Sequence, residues 1–214
     1  MRSATRVLIS TFGGFVGLMG MEHGIGEILQ GSTAPDGLMI LSWPDSKFFE
    51  ILAGEPAMTV IPNLLVTGIL AVLVSLVFFV WATLFVERKH GGLVLILLSI
   101  PMLLFGGGLF PPVLGILLGV AATRINAPLT WWREHLSPGA RHTLTQLWPW
   151  AFGACLLAWL SMFPGVAILS YFFGINNETL VFTVLACMFG FLFLAAAAGL
   201  ARDVHLQTGS SSGA

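Results

Sequence analysis

Residues 91–123 read GGLVLILLSIPMLLFGGGLFPPVLGILLGVAAT, a run without any charged side chain, and this stretch decides the fold. It is long for one helix across a bilayer, because about 20 residues cover the about 30 Å of hydrocarbon. Its middle, residues 106–112, reads GGGLFPP, and glycines and prolines at this density disfavour a continuous helix. The stretch is therefore either one broken span or a hairpin of two short halves.

The distribution of lysine and arginine favours the hairpin, because cytoplasmic loops of membrane proteins carry an excess of both. The nine basic residues are Arg2, Arg6, Lys47, Arg88, Lys89, Arg124, Arg133, Arg141 and Arg202. A single crossing at 91–123 would put four of the nine on the cytoplasmic side, whereas a hairpin puts eight there. We therefore predict that both termini are cytoplasmic. The two halves, each about 22 Å of helix, are predicted to be short spans, and a re-entrant loop is the alternative.

The composition indicates an integral membrane protein. Of the 214 residues, 57% are hydrophobic and 9% are charged, whereas a soluble domain has about 25% charged residues. Four further apolar runs, at 7–29, 59–86, 148–173 and 179–200, are each long enough to cross a bilayer. We predict an all-α, polytopic transmembrane helical bundle with about six membrane segments, in a bacterial-type plasma membrane.

The bundle is expected to form one domain over residues 1–205. An outer loop at 30–58, a cytoplasmic loop at 124–147 and a disordered tail at 206–214 complete the expected organisation. The lipid bilayer is the expected partner, and other membrane proteins are candidates. The net charge of −1 and the lack of a basic run argue against nucleic acid.

Small residues mark faces where helices can pack closely. In the first span these are Gly13, Gly17, Gly20 and Gly24, and in the second they are Asn63, Thr67, Ala71 and Ser75. Each set falls on one side of its helix, so the two faces are predicted to pack together. Pro164-Gly165 predicts a kink in the fifth span. In the outer loop, Asp45-Ser46 is predicted to cap a short helix over 47–53 that ends at Gly54.

Polar residues near the outer end of the first span form the one candidate site. His23 and Glu27 follow the glycine stripe and are predicted to face the bundle interior, whereas Glu22 is predicted to face headgroups or water. The predicted topology brings Asn63 and Tyr171 to a similar depth, so His23, Glu27, Asn63 and Tyr171 are the candidate ligand-binding residues.

Ionisable groups inside a bundle are functional candidates because their burial is costly. A histidine and a glutamate one turn apart can hold a metal, shuttle a proton or bind a polar ligand. They can equally be a hydrogen-bonded pair that joins helices. Two ligands do not complete a zinc site, and the sequence indicates no third histidine or cysteine nearby, so the metal and any cofactor stay unknown.

No motif in the sequence names a reaction. The sequence therefore favours a non-catalytic membrane protein with an accessory, assembly or small-molecule-sensing role. The alternative is a small permease in which the broken hairpin at 91–123 lines the path. A continuous polar cavity reaching mid-membrane would favour the permease, and a dry, interdigitated core would favour the first class.

Overall fold

The computed structural model describes residues 3–211, and the chain is mostly helical, with 73% of its residues in helices. The helices are α1 (Ala4–Leu29), α2 (Leu64–Val80), α3 (Gly91–Leu104), α4 (Phe110–Ala122), α5 (Thr130–His135), α6 (Pro138–Leu160), α7 (Val166–Phe173) and α8 (Glu178–Ser211). Two short strands, β1 (Met39–Leu41) and β2 (Pro56–Met58), form an antiparallel hairpin between α1 and α2. The β-hairpin is an addition to the all-helical architecture that the sequence predicts.

Within the described residues, four helices are long and apolar enough to cross a membrane. They are Ala4–Leu29, Leu64–Phe85, Pro138–Phe173 and Glu178–Gln207, where α2 continues through a π-helical turn and α6 joins α7 through another. The four long spans predicted from the sequence are thus confirmed as helices. α3 and α4, with 14 and 13 residues, are shorter apolar helices.

α3 and α4 pack against each other in opposite directions. Gly92 near the start of α3 lies against the last turn of α4, where an added Cβ would be 2.5 Å from the Thr123 backbone nitrogen. An added Cβ at Gly119 would likewise be 2.7 Å from the Ile96 side chain. Gly106 and Gly108, with φ of 91° and 84°, reverse the chain between the helices in a left-handed conformation that glycine adopts without steric cost. The predicted hairpin is therefore present.

The chain forms two compact units. The first, here called the N-terminal unit, is Ile9–Thr123, and the second, the C-terminal unit, combines Met1–Leu8 with Arg124–Ala214. In the C-terminal unit α6 packs against α8. The Asp203 carboxylate of α8 accepts hydrogen bonds from the backbone N–H groups of Ala4 and Thr5, at 2.7 and 3.0 Å. These bonds satisfy donors that the first turn of a helix otherwise leaves free.

In the C-terminal unit the helical tail differs from the expected organisation, and the kink at Pro164-Gly165 agrees with it. α8 continues to Ser211, so helix covers most of the tail predicted to be disordered at 206–214, and residues 212–214 lie outside the described residues. The predicted kink at Pro164-Gly165 is present, because Phe163 has non-helical φ and ψ of −131° and 105° within the turn that joins α6 to α7.

In the N-terminal unit the glycine stripe of α1 packs against α2. An added Cβ at Gly17 would lie 2.6 Å from the Phe79 Cβ, and one at Gly24 would lie 2.7 Å from the Gly68 carbonyl oxygen. Gly13 faces Ala82 and Gly20 faces Ser75 in the same way. The predicted pairing of the two faces is confirmed through Ala71 and Ser75, which are fully buried.

The core of the N-terminal unit is apolar and closely packed. Its largest fully buried side chains come from all four helices of the unit, and they are Phe12, Phe78, Leu95, Met102, Leu114 and Leu118. Ser75 and Ser99 are small polar residues within this core, and the Ser99 hydroxyl donates to the Leu95 carbonyl of its own helix at 2.8 Å. The interior therefore matches the dry, interdigitated core more closely than a polar path.

The predicted loop helix over 47–53 is wrong in extent. The structure has a single 3-10 turn at Glu50–Leu52, and no side chain caps its start. The predicted end of this helix at Gly54 is correct in position, because Ala53 and Gly54 both adopt a left-handed φ, of 53° and 69°. The stacking of Trp43 on Phe49, with ring centroids 5.1 Å apart, anchors this segment in place of a longer helix.

The α1–α2 contact leads to a prediction at Gly17. Gly17→Ala is expected to lower the free energy of unfolding by about 1–3 kcal/mol, because its methyl group overlaps the Phe79 Cβ and backbone. Gly14→Ala is the matched control on the same helix, since its methyl group would meet Thr83 at an ordinary 3.5 Å. Unfolding in detergent measures both. Equal stability of the two variants would contradict the close approach at Gly17.

Candidate functional site

The β-hairpin covers the C-terminal end of α1 and brings polar side chains to it. Its register pairs Ile40 with Ala57, and the next pair on the same face is Ser42 with Glu55, where the Ser42 N–H donates to the Glu55 carbonyl at 3.1 Å. Side chains of a strand alternate between its two faces. The inner face of the hairpin is therefore apolar at one end and polar at the other.

Three interactions hold the hairpin against α1. The Gln30 amide donates to the carbonyl oxygens of Leu41 and Ser42, both at 3.0 Å. Gly26 allows the approach, because an added Cβ would lie 2.7 Å from the Trp43 ring. The polar end of the inner face thereby reaches the last two turns of α1, where His23 and Glu27 lie.

His23 and Glu27 both point inward, as predicted, and are 6% and 0% exposed. They are joined through the hairpin rather than to each other. His23 Nδ1 lies 2.9 Å from the Ser42 hydroxyl, and that hydroxyl donates to Glu27 Oε1 at 3.3 Å. Ser42 is therefore the bridge between the two predicted site residues.

Glu55 completes the group from the start of β2. Its carboxylate oxygen lies 3.2 Å from His23 Nε2, and both side chains are 7% exposed. Glu55 takes a left-handed backbone conformation with φ of 55°. Non-glycine residues adopt this conformation at a cost of about 1–2 kcal/mol, so the packing around Glu55 holds it against that cost.

The expectation that Glu22 faces headgroups or water is wrong. Glu22 Oε1 is buried, and ligand atoms of Glu22, His23 and Glu55 all lie within 4.8 Å of one another. The physical reason is that the β-hairpin brings Glu55 beside Glu22, which covers this carboxylate oxygen. Other side chains on the same side of α1 stay exposed, and they are Leu18, Ile25 and Leu29.

The turn between α3 and α4 closes the site from the other side. Its backbone joins the hairpin, since the Gly106 N–H donates to the Met58 carbonyl and the Val60 N–H donates to the Leu104 carbonyl, at 2.9 and 3.0 Å. Gly106 lies against the Glu27 carboxylate, and an added Cβ at Gly108 would lie 2.5 Å from His23 Nε2. The site is enclosed by α1, the β-hairpin and this glycine turn.

Asn63 lies at the start of α2, and Tyr171 belongs to the other compact unit. Asn63 caps α2 by accepting from the Val66 N–H at 3.1 Å, and its amide donates to Ser32 at 2.8 Å. Tyr171 belongs to α7 of the C-terminal unit and packs edge-on against Phe172. The described contacts do not bring Asn63 to the His23 group, and a ligand-binding role of Asn63 and Tyr171 stays a prediction.

The site carries an excess of acidic groups. Three carboxylates, from Glu22, Glu27 and Glu55, surround one imidazole, and over the residues that the structure describes no lysine or arginine pairs with them. Glu27 Oε2 and Glu22 Oε1 are buried without a hydrogen-bond partner in the same described part of the chain. Burial of an unpaired carboxylate is expensive, so the arrangement is suited to a bound cation or a shared proton.

Sequence reasoning missed Ser42 and Glu55. Both lie in the predicted outer loop at 30–58, outside its predicted helix, and the flanking residues Leu41 and Pro56 give no alternation of polar and apolar side chains. Only the pairing of the two strands places them on one face. The sequence shows glutamates both in the first span and in the loop that follows it. It does not show which of these side chains come into contact.

Comparison of the chain with protein-family models, with curated proteins and with solved structures found no match. The geometry of the site is therefore the basis for a functional proposal.

The Ser42 bridge leads to a prediction. Ser42→Ala is expected to lower the free energy of unfolding by about 1–3 kcal/mol, because it leaves buried groups of His23 and Glu27 without a partner. Ser46→Ala in the same loop is the control, since its side chain is half-buried. Thermal unfolding in detergent measures both variants. If Ser42→Ala is as stable as Ser46→Ala, the bridge does not hold the hairpin.

Proposed function

We propose that the protein is a non-catalytic membrane protein that senses a small polar or ionic ligand at the end of α1. The observation that carries this proposal is the enclosed group formed by Glu22, His23, Glu27, Ser42 and Glu55. Polar groups buried at this cost, with two carboxylate oxygens left unpartnered, are functional candidates.

A sensing role fits the site because two of the three segments that enclose it are short, whereas the third is a long helix. The two short segments are the β-hairpin and the glycine turn, which a bound ligand can hold in place. The third segment, α1, is packed on α2 through its glycines. A ligand that contacts all three segments would hold the β-hairpin and the glycine turn against α1. A partner protein in the membrane can respond to such a change in conformation.

The alternative is a small permease in which α3 and α4 line the path. The glycine turn beside the site favours the permease. Non-helical backbone at membrane depth is tolerated only where protein buries it or where it lines a water-filled cavity. The apolar core argues against the permease, because Leu95 and Met102 of α3 and Leu114 of α4 are buried with no exposed surface.

Ligand-dependent stability tests the sensing proposal. The purified protein is screened in detergent against inorganic ions, amino acids and small organic acids, and at least one is expected to raise the melting temperature. Glu27→Gln is expected to remove that rise and to keep the melting temperature without ligand, since glutamine still accepts from Ser42. Glu50→Gln, exposed in the same loop, is the control.

Uptake by proteoliposomes separates the two classes. Saturable uptake of the stabilising compound would favour the permease and contradict a purely sensing role. A ligand response that survives in both Glu27→Gln and Glu55→Gln would place the ligand outside this site and would likewise count against the proposal.

We also propose six membrane segments, formed by the four long helices with α3 and α4, and both termini on the cytoplasmic side of a bacterial-type plasma membrane. At about 1.5 Å per residue, α3 and α4 measure about 21 and 20 Å, so they require local thinning of the bilayer. The antiparallel packing of α3 on α4 and the excess of basic residues on one predicted side support this topology.

The bilayer is the proposed partner of the exposed apolar faces. These faces include Leu73, Leu76, Val77, Leu157, Phe182 and Phe193. Other membrane proteins are the second candidate class, because a sensor without catalytic groups needs a partner that responds.

Labelling of single cysteines tests the topology. In a background with Cys155→Ala and Cys187→Ala, Gly37→Cys and Gly139→Cys each introduce one thiol at an exposed position with no atom nearby. A membrane-impermeant reagent added to intact cells is expected to label position 37 and not position 139. Labelling of both positions from the same side would rule out the six-segment topology.

A further inference from the structure

We infer that the ligand of this site is a divalent transition-metal ion, bound by Glu22, His23 and Glu55. The inference rests on the proposed function and names the chemical class of its ligand. It is carried by the geometry of the three side chains, by the orientation of His23, and by the charge of the enclosure.

The three side chains have the spacing that a shared ion requires. His23 Nε2 and the Glu55 carboxylate are 3.2 Å apart, close to the about 3.4 Å edge of a tetrahedron with metal–ligand bonds of about 2.1 Å. All three ligand atoms lie within 4.8 Å of one another, so a small contraction brings the third into range. They come from two separate segments, and an ion would join the β-hairpin to α1.

The hydrogen bonds around His23 aim a lone pair at this position. When Glu27 is ionised, the Ser42 hydroxyl donates its one proton to it, because a carboxylate can only accept. Ser42 therefore accepts from the His23 Nδ1–H, and the neutral imidazole then presents the lone pair of Nε2 to the Glu55 carboxylate. A lone pair facing a carboxylate at 3.2 Å is repulsive, and a metal ion or a proton between them relieves the repulsion. Metal-binding histidines are oriented by their second nitrogen in the same way.

The wholly buried Glu27 supplies a second, independent reason for a cation. Its Oε1 takes the Ser42 bond, and its Oε2 has no hydrogen-bond partner among the described residues. The basic side chains of residues 9–123 are Lys47, Arg88 and Lys89. Lys47 is exposed in the loop, and Arg88 and Lys89 follow the far end of α2 from the hairpin. Negative charge at the site is therefore left for a bound proton or a small cation to balance.

The mixture of ligands defines the class of ion. One imidazole with two carboxylates suits Zn²⁺, Mn²⁺, Co²⁺ or Fe²⁺, whereas Mg²⁺ and Ca²⁺ prefer oxygen ligands alone. Three protein ligands leave a fourth position, which water can fill, and Gly108 leaves room beside His23 Nε2.

The test is a metal titration of the full chain in detergent after treatment with a chelator. Co²⁺ serves as the spectroscopic probe, and Zn²⁺, Mn²⁺, Mg²⁺ and Ca²⁺ are compared through the melting temperature. We expect one Co²⁺ per chain with a visible absorption band, a rise in melting temperature with Zn²⁺ or Mn²⁺, and a smaller rise with Mg²⁺ or Ca²⁺.

Variants assign the site. Glu55→Gln and His23→Gln are expected to weaken Co²⁺ binding more than tenfold, and Glu50→Gln is expected to leave it unchanged. Ser42→Ala, which removes the hydrogen bond that orients His23 and leaves the three ligands in place, is expected to weaken binding by about 10–100-fold while the band at saturation keeps its shape. If His23→Gln does not fold, Glu55→Gln, which has nearly the same shape, and Ser42→Ala carry the test.

The outcomes separate this inference from the proposed function. No metal response in the natural sequence would overturn the metal inference, and so would metal binding that survives in both Glu55→Gln and His23→Gln. If a different polar compound then stabilises the protein in a manner that depends on Glu27, the sensing proposal stands alone. If neither metals nor other compounds do so, both proposals fail.

Discussion

Burial of the Glu27 carboxylate at the end of an apolar helix is the constraint on which the site depends. A carboxylate without exposed surface needs donors, and α1 offers none at that turn because its own N–H groups are used within the helix. The donor comes from Ser42, which the β-hairpin brings across about a dozen intervening residues. The hairpin and the glycine turn beside it are thus folded onto α1 by a requirement for polar partners, in a region where apolar burial alone would leave a loose loop.

Close packing below the site fixes its position. The glycines of α1 bring its backbone against α2, as at Gly17 and Phe79. The core beside these glycines holds small hydroxyl groups such as Ser75 and Ser99, whereas the buried ionisable groups His23, Glu27 and Glu55 gather at the end of the helix. A binding role follows more naturally from such a site than a role in passage across the membrane.

Glu22, His23 and Glu55 show how a mixed set of ligands arises from two short segments. Neighbouring residues on a helix point about 100° apart, and Glu55 of the hairpin comes within 4.8 Å of the ligand atoms of both Glu22 and His23. The left-handed backbone at Glu55 is part of the same arrangement. The contacts that hold it there are the ones that a bound ion would strengthen.

Sequence patterns alone predict the four long apolar helices, the break at 106–112 and the packing of the α1 glycines, because hydrophobic length and residue size are local properties. They also predict that His23 and Glu27 point inward, since both follow the glycine stripe. Only the tertiary structure decided that Ser42, Glu55 and Glu22 join them. Strand register and the path of a 34-residue connection between α1 and α2 depend on contacts between segments far apart in sequence, and no periodicity within a single segment records them.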